Sequence, residues 1–144
     1  GHGCTNLDSH FILPKVKFSL DYLKKNDFES FKNNTANLAM TAHVLYEKLD
    51  SKMCATQSKY IISEIIRKYL KFNGIIMSDD LSMRALSKNL DVKAKLSLSA
   101  GCNLLLHCNG KIDEMKKLSL ITPQIDSFTD KITKKIKRNF NKYN

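Results

Sequence analysis

Gly74-Ile75-Ile76-Met77-Ser78-Asp79-Asp80-Leu81-Ser82-Met83 is the stretch on which the fold turns. The apolar run Ile75-Ile76-Met77, reached from Gly74, has the character of a parallel strand buried on both faces. Two carboxylates follow without a gap, and Leu81-Ser82-Met83-Arg84-Ala85-Leu86 reads as the start of a helix. That order sets Asp79 at the C-terminal edge of a parallel sheet, where α/β proteins gather their reactive groups. A second reading stays open here: Asp80 or Ser78 caps the following helix through its side-chain oxygen.

Upstream, Asn37-Leu38-Ala39-Met40-Thr41-Ala42-His43-Val44 is a second strand, near-continuously apolar and so expected to be buried on both faces. Ser58 is placed to cap a helix running to about Leu70, with Ile61, Ile62, Ile65, Ile66, Tyr69 and Leu70 on one side. Leu20, Leu23, Phe28 and Phe31 suggest short helical turns nearer the start. Downstream, a polar helical stretch covers Asp91 to Ala100 and Gly101 stops it. Cys102-Asn103-Leu104-Leu105-Leu106-His107 is a third strand. In the tail from Ile121 to Phe140, the residues Ile125, Phe128, Ile132, Ile136 and Phe140 recur every three or four positions, which predicts an amphipathic helix with a lysine-rich outer face. Strands alternating with helices imply βαβ units and right-handed crossovers. Three strands suit the last part of a larger sheet.

The 144 residues suffice for one domain with a core. No run approaches the roughly 18 apolar residues of a membrane span, and the first residues lack a signal-peptide pattern, so a cytoplasmic setting is expected. Four cysteines (Cys4, Cys54, Cys102, Cys108) include no Cys-x-x-Cys pair, which excludes a zinc knuckle and a dense disulfide frame. Cys102 and Cys108 flank a strand and read as small core residues. The net charge of +10 gathers toward the C-terminus, in Lys131, Lys134, Lys135, Lys137 and Arg138. Such a face admits a nucleic-acid or membrane-surface module, but a solvated outer helix needs the same residues.

Taken together, these segments resemble the catalytic barrel of glycoside hydrolase family three, in its bacterial β-N-acetylhexosaminidase branch. The resemblance rests on Gly1-His2-Gly3 with Thr5, Asp8-Ser9-His10 and Leu13-Pro14. It continues through Met40-Thr41-Ala42-His43-Val44, Tyr46, Leu49-Asp50, Ala55-Thr56, Ser58, Arg67, Phe72 and Gly74. It ends on Ser78-Asp79-Asp80-Leu81-Ser82-Met83 and Ala100-Gly101-Cys102 with Leu104-Leu105-Leu106. The motifs fall in the family's order over about residues 1–108, leaving a helical region at about 110–144. The implied fold is α/β, the C-terminal part of a (β/α)8 barrel forming one partial catalytic domain over 1–144.

The resemblance also implies a chemistry. Asp79 matches the family's nucleophile, which forms a covalent glycosyl-enzyme in a retaining mechanism. His10 matches a loop histidine that serves as acid and base, with Asp8 as its carboxylate partner. The residue types suit that work: imidazole titrates near neutrality, and a carboxylate on its other nitrogen fixes the tautomer. Among other histidines, His43 either lines the sugar site or packs in the core, His2 shapes the glycine loop beside the substrate, and His107 is structural. The four histidines lack metal-ligand spacing, so neither metal nor other cofactor is expected. The implied substrate is an N-acetylglucosaminyl muropeptide from peptidoglycan recycling.

The family's Lys-His-Phe-Pro segment, whose Lys-His pair grips the sugar, does not occur in these residues, and neither do its earlier strands. Cys4 and Asn103 stand where Asp is usual, and Cys54 where Pro is usual. The expectation is therefore a chain with the reactive groups but not the grip, completed by an N-terminal half-barrel from a second chain or a longer precursor. The alternative is a catalytically silent fragment. No nucleic acid and no membrane enter the favoured reading.

Overall fold

A computed structural model of the protein describes residues 2–140; Gly1 and the side chain of Phe140 lie outside the description. The chain forms β1 (Lys15–Val16), α1 (Leu20–Lys25), β2 (Leu38–Met40), β3 (Leu45–Tyr46), a π-helix (Ile61–Tyr69) and β4 (Ile75–Asp80). Then come α2 (Leu90–Ala100), β5 (Leu104–Leu106), α3 (Ile112–Ile121) and α4 (Ser127–Phe140). Their boundaries have local causes. Ser19 accepts the Tyr22 N–H at the start of α1, and Ser58 accepts the Ile61 N–H before the π-helix while donating to Asp50. Gly101 ends α2 at φ 118°, in the left-handed region glycine tolerates, and a β-carbon there would lie 2.9 Å from Ile62 Cγ2.

Strands β2, β4 and β5 form one parallel sheet in the order β2-β4-β5, and each return runs through a helix. This is the repeating βαβ unit of a (β/α)8 barrel. A separate parallel pair, β1 with β3, sets Lys15 beside Leu45 and Val16 beside Tyr46, and so anchors the chain that follows the opening loop. The two faces of the main sheet differ. Ala39 and Ile76 are register partners and pack under the helices against Ile62, Phe72, Ala100 and Cys102. The opposite face carries Leu38 with Ile75, and Met40 with Met77, which in turn pairs with Leu104. On it Leu38 is 45% exposed and Met40 57% exposed.

Several expectations change here. The strand read over residues 37–44 is three residues long, and it is not buried on both faces, since Leu38 and Met40 are exposed. After Met40 the chain turns in, with Thr41 and His43 buried, and then forms β3. Both β1 and β3 escaped the sequence reading, each being only two residues long. The helix read over Leu81–Leu86 does not form. Its N–H groups are taken by other partners: Leu81 by the Leu106 carbonyl, Ser82 by the Asp80 carboxylate, Arg84 and Ala85 by the His10 and Ser9 carbonyls. The helix starts instead at Leu90. Cys102 is buried as read, but Cys108 is exposed. The tail is two helices, since Pro123 cannot continue α3, and Ile125 falls between them at 53% exposed.

At the N-terminal end of the sheet, Arg67 is the fastener. Its guanidinium donates to the Phe72 carbonyl (2.9 Å), the Gly74 carbonyl (2.6 Å) and Asn103 Oδ1 (3.0 Å). Asn103 Oδ1 also accepts the Ile76 N–H, and its amide donates to Thr129 of α4. One side chain thus ties the π-helix, the approach to β4, the approach to β5 and α4. Gly74 lets these strands meet, since a β-carbon there would sit 2.7 Å from the Asn37 carbonyl oxygen. Arg67→Met keeps the aliphatic stem and removes the donors, leaving inward carbonyls without partners. It is expected to lower unfolding free energy by about 2–4 kcal/mol, read as a lower denaturation midpoint with an unchanged slope.

Candidate active site

The C-terminal end of β4 carries both carboxylates, and they meet different surroundings. Asp79 is half-buried, and its Oδ1 accepts the N–H of Asp80 at 2.8 Å. No cation pairs with it among the described residues. Asp80 is committed to structure. Its carboxylate accepts from the Ser82 N–H (2.9 Å), the Ser82 hydroxyl (2.6 Å) and the Cys108 N–H (3.1 Å). Burial alone would push Asp80's carboxyl up, but these bonds outweigh it and hold the carboxyl below the usual range. Of the two readings open for the pair, capping therefore falls to Asp80, and it caps an irregular turn joined to the end of β5 rather than a helix. Ser78 also holds that junction, its hydroxyl accepting the Leu106 N–H.

The opening loop comes to the same end of the sheet. Phe11 and Ile12 N–H groups both reach the Asp8 carbonyl, closing a tight turn. Within it Asp8 Oδ1 accepts the backbone N–H of His10 at 2.9 Å and its Nδ1–H at 2.7 Å. The side chains of His10 and Asp8 are 69% and 56% exposed, so the imidazole's other nitrogen is open to an incoming molecule. The bond to Asp8, then its charge, and further off the charges of Asp79 and Asp80, push the His10 imidazole above its ordinary value. Asp8 moves down in return, through the two bonds from His10. Between them Ser9 is fully buried, and His2 Nε2 lies 2.7 Å from its hydroxyl. His2 thus shapes the loop. The loop is tied to the turn after β4 by backbone bonds: the N–H groups of Arg84 and Ala85 reach the carbonyls of His10 and Ser9, each at 3.3 Å.

His43 takes the second of its two readings and packs in the core, with no exposed surface. Its Nε2 sits 3.0 Å from the Asp80 carbonyl and its Nδ1 2.8 Å from the Thr56 hydroxyl. Burial lowers its pKa, so the ring is neutral. A carbonyl only accepts, so Nε2–H donates to Asp80 and Nδ1 accepts from Thr56. His43 therefore does not reach a sugar; it holds the backbone from which Asp79 projects. His107 is buried as a structural residue, its Nε2 3.0 Å from Glu114 Oε2 but off the line of a hydrogen bond.

Two supports were not singled out in the sequence. Lys93, in a stretch read only as polar helix, is buried and donates to the Leu81 carbonyl at 2.9 Å. The other is the turn after Asp80. Neither has a local signature, because each is defined by a partner elsewhere in the chain. The site is an open ledge. A cleft of about 530 Å³ between β5, α3 and the start of α4, and another of about 440 Å³ at the opposite end of β2 and β4, both lie away from Asp79 and His10. No cluster of three or more metal-ligating side chains occurs among the described residues.

The domain described as "Glycosyl hydrolase family 3 N terminal domain" matches residues 1–140. A β-hexosaminidase of Haemophilus influenzae is 38% identical over 133 residues, covering 86% of this chain and 38% of the relative. One of Idiomarina loihiensis is 33% identical over 127 residues, covering 85% and 38%. The chain thus spans well under half the length of these relatives. Among solved structures, native NagZ of Neisseria gonorrhoeae overlays with a TM-score of 0.76 at 31% identity, covering 90% of this chain and 38% of the other. A glycoside hydrolase family 3 β-N-acetylglucosaminidase from a Paenibacillus species overlays at 0.74 with 27% identity, covering 96% and 28%.

The dyad generates a pH prediction. Because the His10 imidazole is raised, its bond to Asp8 stabilises the fold fully below the ordinary imidazole value and is lost as pH rises through the raised one. Asp8→Asn removes both the acceptor charge and its field. The His10 titration midpoint, followed by NMR of the ring carbons, is expected to fall toward that of a free imidazole. A midpoint unchanged by the substitution would contradict the coupling.

Proposed function

The chain belongs to glycosyl hydrolase family 3, and from that premise we propose that it is the nucleophile-bearing part of a retaining β-N-acetylhexosaminidase. What carries the reading is one juxtaposition: Asp79 at the end of β4, with the Asp8–His10 pair bonded onto the turn that follows it. In the first step the Asp79 carboxylate attacks the anomeric carbon as the glycosidic bond breaks. The His10 imidazolium gives its Nε2 proton to the departing oxygen. In the second, neutral His10 takes a proton from water as that water attacks the same carbon and releases Asp79. Asp8 holds the Nδ1 side throughout, so that Nε2 alone exchanges the proton.

The proposed substrate is a terminal N-acetylglucosamine of peptidoglycan-derived muropeptides, supported by the hexosaminidase and N-acetylglucosaminidase names of the relatives. A cytoplasmic setting is proposed on the four unpaired thiols. The bare sheet face of Leu38 and Met40, next to the ledge, supports a further proposal. Additional βα units of the same barrel cover this face and supply the groups that grip the sugar. The whole of residues 1–144 then forms one catalytic-domain segment.

The test is hydrolysis of N-acetylglucosaminides by the assembled barrel. Asp79→Asn is expected to abolish turnover of every substrate, since the other carboxylates of the ledge, Asp8 and Asp80, are each held by side-chain partners. His10→Asn should lose about 10²–10⁴-fold on a sugar leaving group. Read as kcat/KM, which ends at the first step and leaves out the base-assisted second one, the loss should be much smaller on a nitrophenyl leaving group, which departs with little help from an acid. Equal losses on both substrates would remove His10 from the acid role, and full turnover by Asp79→Asn would remove Asp79 from the mechanism.

A further inference from the structure

The ledge depends on a segment with no regular structure. Leu81–Leu86 leaves β4 directly after the carboxylates and is bonded on three sides. Its first residue is gripped from both directions: the Leu81 N–H reaches the Leu106 carbonyl of β5, and the Leu81 carbonyl receives the Lys93 ammonium of α2. Its middle donates the Arg84 and Ala85 N–H groups to the His10 and Ser9 carbonyls. Its apolar side chains Leu81 and Leu86 pack with Cys54, Ala94 and Leu118. One end of this segment is therefore continuous with Asp79, and the other is bonded to the loop that carries His10.

Lys93 is the unusual member. Burying an ammonium is costly unless it is paired, yet this residue is buried, beside Ala94 of the apolar cluster, and its ammonium is bonded to a single backbone carbonyl. Desolvation works against its charge, while the carboxylates of Asp80 and Glu114 support it. No surface role accounts for it. Its only hydrogen bond among the described residues goes to the first peptide after the two carboxylates.

We propose that the turn Leu81–Leu86 is a strut that sets the separation between Asp79 and His10, and that Lys93 is the positioning residue that holds the strut in place. The proposal rests on the glycosidase reading for its catalytic consequence but not for its geometry. A strut suits the chemistry, because nucleophile and acid must act on opposite bonds of one carbon, and displacements of an ångström cost orders of magnitude in rate.

Titration of His10, followed by NMR, tests it without reference to activity. The charged groups that act on His10 are Asp8, from its own turn, and Asp79 and Asp80, from the end of β4. Lys93→Met releases the strut from behind, and Arg84→Pro deletes the N–H that binds the His10 carbonyl, at an exposed position. In both, Asp79 and Asp80 recede, and the His10 midpoint is expected to fall; Lys93→Arg should restore it. Loss of the Lys93 charge by itself acts in the opposite direction, since removing a nearby cation raises an imidazole. A midpoint that stays or rises in the folded variants overturns the proposal. Should Lys93→Met fail to fold, Arg84→Pro decides alone. In the assembled barrel, Lys93→Met is expected to lose about 10²-fold in kcat with KM unchanged. If the unaltered protein turns over no N-acetylglucosaminide, the glycosidase reading fails while the titration still decides the strut.

Discussion

The structure is organised around the peptide groups at the end of β4, where almost every hydrogen-bonding group has a partner from another part of the chain. The Asp80 carbonyl takes the His43 ring, the Leu81 N–H takes Leu106, and the Leu81 carbonyl takes Lys93. The Asp80 carboxylate gathers Ser82 and Cys108. Buried backbone groups are costly to leave unmade, so a strand end bonded in this way has little freedom to move. Asp79 stands at its tip with only its neighbour's N–H for company. Asp79 is thus short of strong partners yet fixed in direction, and the fixing is done by the residue beside it.

Two adjacent aspartates thus divide the work by environment. Asp80 is stabilised as a charge by donors from two loops and serves the architecture. The same logic separates the histidines. His43 is sealed and neutral, a bracket between Thr56 and Asp80, whereas His10 is open to solvent and raised by a carboxylate it touches. In each pair one member keeps an uncommitted atom, and its partner supplies the rigidity.

The other end of the sheet shows what the fold does without chemistry. Arg67 and Asn103 link the starts of β4 and β5 to the π-helix and α4, so the sheet is fastened at its base and braced at its tip. Between these ends the helix-covered face is packed, while on the other face Leu38 and Met40 of the edge strand are exposed. An apolar face beside a catalytic ledge is the interior of a barrel seen from one side. It explains why the ledge is open although its reactive groups are held in place.

Much of this was legible in the linear chain. The apolar run before two aspartates, the alternation of strands with helices, the capping Ser58 and the terminating Gly101 all act through neighbours in sequence, so local chemistry reveals them. The Asp8–His10 pairing came from the resemblance; the two-residue spacing only permitted it, and the turn closed on the Asp8 carbonyl brings the two side chains together. What escaped was set by distant partners. Leu81–Leu86 has a helical pattern but lies where its N–H groups find the opening loop and β5 instead, and a tertiary bond outweighs a weak local preference. Lys93 looks unremarkable in the sequence and His43 left two readings open, since only packing brings them against the backbone beside Asp79. Residue order set Asp79 at the end of a strand and His10 two residues from Asp8; the closing of the sheet end decided which groups hold them there, because support of that kind is a property of contacts between segments far apart in the chain.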